Sequence, residues 1–442
     1  MAKREYLIKP LVGEIYPTID RGESIYLWDK QGKKYIDGSS GAVAASIGHG
    51  VKEVIDEMVG QANKVAFVYR SQFTSDAAEN LAKKISELTP GDLNWSFFVN
   101  SGTEATETAM KMAIQHFQER GIHTKTKIIS RMMSYHGITI GALSMSGHPL
   151  RRKRFTSLLE DYPMVEAPYC KRCPYGLEKG RCALLCATSL ERTIQKLGAE
   201  NVAAFIAEPI VGAAGAALTP PKGYYEKIRE ICTKHDVLFI ADEVMTGIGR
   251  TGEMFGIHHW NCVPDILVLG KGLAAGYTPI AAAVASDRVM QPIIEGSRLV
   301  MSGHTFSANP LSASVALAVL HYVEKYNLVQ NSKKQGKKIM KTLKEWKKQF
   351  PFIFDVRGEG LLIGIELDET LFEKHSLTTH VIEIARNKGL LLYPAVSGPN
   401  GRLENSFLLS PPLVITAQQV DELLIVLKEV FHELSQEVKG VI

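Results

Sequence analysis

Ile266-Leu267-Val268-Leu269-Gly270-Lys271-Gly272 ends an apolar run on a lysine set between two glycines, and Leu273-Ala274-Ala275 follow. Burying an ammonium in such a setting is costly and pushes the amine toward its neutral, nucleophilic form. Upstream, Val237-Leu238-Phe239-Ile240-Ala241 reads as a second buried strand, and it delivers Asp242 and Glu243. Unbroken apolar runs of this kind suit strands covered on both faces. A carboxylate and an amine at two strand ends suggest an aldehyde cofactor held between them. In this window alone, a surface lysine after a core strand explains the same letters, so the rest of the chain has to decide.

From about residue 65 to 325, helical segments alternate with short apolar strands: Trp95–Phe98, Lys127–Ser130, Ala203–Ala207, Leu238–Ala241, Ile266–Leu269 and Ile280–Val284. That alternation predicts an α/β fold, a mostly parallel sheet with helices on both faces. Residues 24–37 read as a hairpin around Asp29-Lys30-Gln31-Gly32. After residue 326 the character changes. A lysine-rich amphipathic helix (327–349) precedes strands at 352–355 and 360–366, a helix at 377–388, strands at 390–393 and 407–409, and a helix at 416–436. The expected division is residues 65–326 as a large domain and 327–442 as a smaller α+β domain, which the N-terminal segment 1–64 joins.

A formal charge of +4 over 442 residues does not suggest nucleic acid as a partner. The cluster Arg151-Arg152-Lys153-Arg154 reads as a solvated loop or helix end. Met1-Ala2-Lys3-Arg4-Glu5 leads into mixed sequence without a signal peptide's apolar core, and no run reaches the length of a membrane helix. A cytoplasmic chain with reduced cysteines is the expectation. Cys170-x2-Cys173-x8-Cys182-x3-Cys186 pairs thiols closely enough to clamp a zinc, but the spacing is not that of a common zinc module. Unliganded thiols, with no metal, are the expected state.

Phe97-Phe98-Val99-Asn100-Ser101-Gly102-Thr103-Glu104 runs from a strand into a helix whose Ala105, Ala109, Met112, Ala113 and Phe117 share a face. Ser101, Gly102 and Thr103 put amides and hydroxyls at the helix N-terminus, an anion site suited to a phosphate monoester or simply an N-cap. Tyr135-His136-Gly137 follows another strand, and its aromatic could stack on a flat ring. Pyridoxal 5′-phosphate needs this set: phosphate donors, a stacking ring, a carboxylate for the pyridine nitrogen and a lysine for the aldehyde.

At this point the chain resembles the class-III pyridoxal-phosphate aminotransferases of fold type I, the branch of ω-amino acid:pyruvate and diaminopelargonate-type enzymes. The resemblance rests on Tyr26-Leu27-Trp28-Asp29 with Gly32–Asp37, on Asn100–Ala105, and on Ser134-Tyr135-His136-Gly137. It continues through Ala207-Glu208-Pro209, Asp242–Gly247 with Gly249–Gly252, Lys271-Gly272, Gly303-His304-Thr305-Phe306 and Pro411-Pro412-Leu413. It implies that Lys271 forms the Schiff base and then shuttles the substrate proton, and that Asp242 pairs with the pyridinium. It implies a ring held between Tyr135 and Val244, and a phosphate on Ser101, Gly102 and Thr103. Glu208 would order the cofactor side of the pocket, with His136 and Gly137 beside it. Thr305 would reach the neighbouring subunit's phosphate, in a homodimer or tetramer with its site at the interface.

Members using 2-oxoglutarate commonly carry a glutamate five residues after the Glu of Glu-Pro and an arginine three residues before Pro-Pro. Here these are Ala213 and Leu408, and a common glutamine after the aspartate is Met245. The sequence therefore favours an amine or ω-amino acid as donor and pyruvate as the 2-oxo acid. A diaminopelargonate-type enzyme, or a related racemase or aminomutase, is the alternative. Arg402 is the nearest candidate for binding a carboxylate, and Tyr16 and Tyr69 are candidate substrate contacts.

Overall fold

A computed structural model describes residues 6–373 and 376–438, so Met1–Glu5 lie outside the described residues. The N-terminal hairpin is part of a three-stranded antiparallel sheet: β1 (Ile19–Glu23), β2 (Tyr26–Asp29) and β3 (Lys34–Ile36). β1 carries mostly exposed residues and no alternation, which is why the sequence did not reveal it.

The large sheet contains β4 (Trp95–Val99), β5 (Lys127–Arg131), β6 (Met164–Val165), β7 (Val202–Ala207), β8 (Leu238–Asp242), β9 (Ile266–Leu269) and β10 (Ala281–Ala285). Their spatial order is β4-β10-β9-β8-β7-β5-β6. Every residue of β7, β8, β9 and β10 is buried. Helices on both faces cause this: the helix Gly102–Glu119 packs on β10, β9 and β4, and Tyr224–Lys234 packs on β8 and on Leu185–Leu197. Fully burying one Leu, Ile or Val side chain contributes about 1.5–3 kcal/mol, so such strands anchor the fold.

The sheet is mixed in one place. β10 runs antiparallel to both β9 and β4, while β5, β6, β7, β8 and β9 pair parallel. β4 therefore runs with the parallel set, and the carboxyl ends of β4, β5, β7, β8 and β9 open along one edge. Ligands of open α/β sheets sit at that edge.

The C-terminal part forms a four-stranded antiparallel sheet of β11 (Ile353–Glu359), β12 (Leu362–Leu367), β13 (Tyr393–Ser397) and β14 (Leu403–Leu409), in the order β11-β12-β14-β13. The strand expected at 390–393 lies further on, as β13. Leu390 instead bridges Ile36 of β3, with Ile36 N–H donating to Gly389 (2.8 Å) and Leu391 N–H to Ile36 (3.0 Å). Pro394 is tolerated because β13 is an edge strand. The helices Leu328–Trp346, Leu377–Asn387 and Ala417–Ser435 cover this sheet. No described helix is long and apolar enough to cross a membrane.

Candidate active site

β4 leads through Asn100 into the helix Gly102–Glu119, capped by Ser101. The Glu104 amide donates to the Ser101 hydroxyl (3.4 Å), and the Glu104 carboxylate accepts from the amides of Asn100 (3.0 Å) and Ser101 (2.9 Å). This reciprocal box spends both the hydroxyl and the amide of Ser101 on the cap. The amides of Gly102 and Thr103, first in the helix, have no intrahelical acceptor and sit at the positive end of its dipole. Close packing requires the glycines here. A Cβ on Gly102 would stand 2.9 Å from Val244 Cγ1, and one on Gly137 (φ +143°) would collide with the Thr103 hydroxyl.

Glu208, just beyond β7, ties two loops together. Its carboxylate accepts from the amides of Tyr135 (2.9 Å) and Gly212 (2.8 Å), and burial raises its pKa. Its carbonyl accepts from the buried Arg131 guanidinium (2.5 Å) and the Tyr225 hydroxyl (2.6 Å). His136 turns inward from the β5 loop. Its Nδ1 lies 2.7 Å from Asp242 Oδ2, while the Val244 amide donates to Oδ1 (3.1 Å). Asp242 ends β8, only 3% exposed, and so is held in one orientation on two sides.

The neighbouring Glu243 faces the other way. It accepts from Gly256 N–H (2.8 Å), Ile257 N–H (2.7 Å) and the Thr246 hydroxyl, and burial pushes it up to about 7. It clamps a loop and takes no place in the cavity.

Lys271 opens a short 3-10 turn after β9, with φ +42°, a left-handed conformation that costs an L-residue about 1 kcal/mol or more. Burial lowers its amine to about 8; Glu208 and Asp242 oppose the shift, and Arg151 and Arg250 add to it. Relative to 10.5 this favours the neutral amine by roughly 3 kcal/mol. Lowering pH through 8 protonates the amine, and raising it frees the nucleophile. The rate at which cofactor-free protein captures an aldehyde in a borohydride-reducible bond is expected to climb with a midpoint near pH 8. A midpoint near 10.5 would show an unperturbed lysine.

Ser101, Gly102, Thr103, Tyr135, His136 and Gly137 line one cavity of about 250 Å³. Glu208, Asp242, Val244 and Lys271 complete it, so the strand ends deliver these sequence candidates to one place. Ala213 and Met245 also line it, and so does Ile138, which carries no sequence signal. Thr305, Tyr16, Tyr69 and Arg402 do not line it; Thr305, Tyr69 and Arg402 are exposed on the same chain. A larger cavity, about 690 Å³ beside Trp260, Lys344 and Arg357, lies away from these groups. Chemistry, not size, marks the site.

Two of the four basic residues at 151–154 are not simply solvated. Arg152 donates to the carbonyls of Leu143 and Ser144 (2.8 Å each), and the Arg151 guanidinium stands 4.5 Å from the centre of the Tyr135 ring. Cys170, Cys173, Cys182 and Cys186 line a small cavity of about 20 Å³. All six cysteines are free, and among the described residues no three His, Cys, Asp or Glu side chains are placed to hold a metal.

The family model for class-III aminotransferases matches residues 8–431. The chain belongs to the class-III aminotransferases. An uncharacterized aminotransferase of Bacillus subtilis, YodT, is 48% identical over 440 residues, covering 98% of this chain and 99% of that protein. The putrescine–pyruvate aminotransferase of Pseudomonas aeruginosa is 31% identical over 410 residues, 92% of this chain and 88% of the other. The ω-transaminase of Pseudomonas jessenii, solved in complex with PMP, superposes with a TM-score of 0.90 at 32% identity, over 96% of this chain and 94% of that one. This class-III aminotransferase is thus a pyridoxal-phosphate enzyme of fold type I. The groups in this cavity are of the kinds the cofactor needs: helix-end amides, an aromatic and an aliphatic side chain in Tyr135 and Val244, a fixed carboxylate and a lysine whose pKa is lowered to about 8.

Proposed function

We propose that the enzyme moves an amino group from a primary amine or ω-amino acid to a 2-oxo acid, with pyruvate as acceptor. One observation carries this reading: the cavity has Ala213 and Met245 where a glutamate and a glutamine would mark the 2-oxoglutarate branch, and Leu408 is fully buried in β14. A polar switch for a second carboxylate is missing at those three positions. The putrescine–pyruvate relative supports the same pairing.

The cofactor supplies an aldehyde for the lysine and a protonated ring that draws electrons from the substrate. Lys271 would hold that aldehyde and move the proton at the substrate carbon. Asp242 would face the ring nitrogen as its counter-charge, held in place by His136 Nδ1 and the Val244 amide. The amides of Gly102 and Thr103 would hold the phosphate, while the Thr103 hydroxyl, which accepts from the amides of Ile138 (3.1 Å) and Thr139 (3.3 Å), fixes the loop beside them. A panel of amine donors scored against pyruvate and 2-oxoglutarate tests the reading. Keto product formed preferentially from 2-oxoglutarate, or racemisation without keto product, would sink it.

The active unit in this reading is a homodimer. Phe67, Phe73, Ile138, Ile140, Met301 and Phe306 are exposed, and the segments 66–73 and 299–309 touch one another: Arg70 donates to the Ser302 carbonyl (2.6 Å). Exposed apolar side chains gathered in this way, with the Phe67 and Phe306 ring centres 6.0 Å apart, support an interface there. Thr305 is exposed within it, and in this reading it would reach a second copy's phosphate. Sedimentation is expected to show activity only in species of twice 48.7 kDa or more. Full activity in a monomer would refute the shared site.

A further inference from the structure

We infer that Cys170, Cys173, Cys182 and Cys186 form a site of oxidative modification, in which Cys170 takes an oxygen from a peroxide and then closes a disulfide with Cys182 or Cys186. The inference does not depend on the amine donor or the acceptor proposed above.

Two local turns gather the thiols. Cys170–Arg172 is a 3-10 turn, where side chains three apart stand on one side, and Gly176 N–H donates to the Cys173 carbonyl (3.0 Å). Between the second pair, Ala183 (φ +46°) and Leu184 (φ +55°) are both left-handed, a strained arrangement for L-residues. Leu185 N–H donates back to the Cys182 carbonyl (3.1 Å), and Cys186 stands in the first turn of the helix Leu185–Leu197. All four cysteines line one cavity of about 20 Å³, room for little more than a water molecule, walled by Leu177, Leu185 and Pro221. Cys170 is the centre of the group: the charges of Cys173 and Cys182 act on it, and its own acts on Cys186.

Core filling does not account for the cluster. Cys232 and Cys262 are buried, whereas Cys170, Cys173 and Cys182 are only half-buried. Among the described residues no three of these thiols are placed to hold a metal, so the chemistry open to them is pairwise. Access singles out Cys170. It lines both the small cavity and the one of about 690 Å³, whose walls include the exposed Lys171, Lys222 and Lys344. Cys173, Cys182 and Cys186 line only the smaller of the two.

The Cys170 thiolate attacks one peroxide oxygen, giving a sulfenic acid and a hydroxide that takes up the thiol's proton as water. The second thiol displaces the sulfenic hydroxyl, also as water, and the S–S bond forms. Two electrons pass from the thiols to the peroxide. Burial raises the Cys170 thiol above its ordinary value, against the pull of the Lys179 ammonium. The reaction is therefore slow at neutral pH and answers sustained oxidation. The bond ties together two parts of the molecule. Tyr169 and Arg172 flank Cys170 and grip the buried Glu366 of β12, with Arg172 Nε 2.9 Å from it. Cys186 lies on the helix that packs against Tyr224–Lys234, on the large sheet.

The test treats the cofactor-loaded enzyme with hydrogen peroxide and maps it without reduction. Lys171, Arg172, Lys179 and Arg181 stand between the cysteines, so trypsin puts Cys170, Cys173 and the Cys182/Cys186 pair on three different peptides. The expected product has lost two thiols per chain and joins the Cys170 peptide to the one carrying Cys182 and Cys186. Dithiothreitol should release it. Thiol loss should slow roughly tenfold or more in Cys170→Ser, while Cys173→Ser should form the same bond as the wild type. A bond within either close pair, a bond between two chains, or unchanged oxidation in Cys170→Ser overturns the inference. So do thiols that peroxide leaves intact, or bound zinc that shields them until a chelator removes it.

Discussion

Lys271→Ala is expected to abolish transamination by roughly four orders of magnitude or more, while the protein folds and retains cofactor noncovalently. The size follows from two lost roles, the covalent anchor and the base that moves the substrate proton. The fold should survive because the substitution keeps the Cβ and the left-handed turn at φ +42°, and removes an amine that burial disfavours in its charged form. Cofactor should stay because the helix amides, Tyr135, Val244 and Asp242 do not depend on Lys271. Thermal melts and phosphate content after gel filtration check folding and loading. A small exogenous amine should restore part of the proton-transfer rate. Near-normal turnover in a purified variant would refute the assignment of Lys271.

Asp242→Asn should cost roughly 10²- to 10³-fold in kcat/KM, the equivalent of about 3–4 kcal/mol, in the range for breaking a buried charge pair. The amide preserves the shape and can still accept from Val244 N–H, where the carboxylate now does so at 3.1 Å. It cannot carry the negative charge that holds a pyridinium protonated. With its oxygen kept on Val244 N–H, its NH2 group would stand where Oδ2 now meets His136 Nδ1 at 2.7 Å, donor against donor unless the imidazole changes tautomer. The expected spectrum is that of bound cofactor with its ring nitrogen unprotonated. Activity within tenfold of the wild type would mean the ring does not rely on Asp242.

The buried strands were legible because apolar runs such as Phe239-Ile240-Ala241 and Leu267-Val268-Leu269 admit few other settings. The site was legible for a related reason: its residues follow those strands, so locating the strand ends located Asp242, Glu208 and Lys271. What the letters hide is direction. Asp242 and Glu243 are adjacent, yet strand geometry points them to opposite faces, and only one enters the cavity. Arg151 and Arg152 read alike as surface charge, yet one braces carbonyls and the other covers an active-site ring. β1 was missed because an exposed edge strand needs no apolar pattern, and β13 was misplaced because Leu390 is buried against another sheet's edge. Thr305 lies outside its own chain's cavity, and a single sequence gives no register for a second copy.

The strand order has a kinetic consequence. The groups proposed to hold the cofactor run from Gly102 to Lys271 in sequence and follow β4, β8 and β9; β8 and β9 pair directly, whereas β4 joins them only across β10. Contacts so distant along the chain form late, after their loop-closure cost has been met. Pyridoxal phosphate is therefore expected to be captured after the sheet has assembled, not to nucleate it.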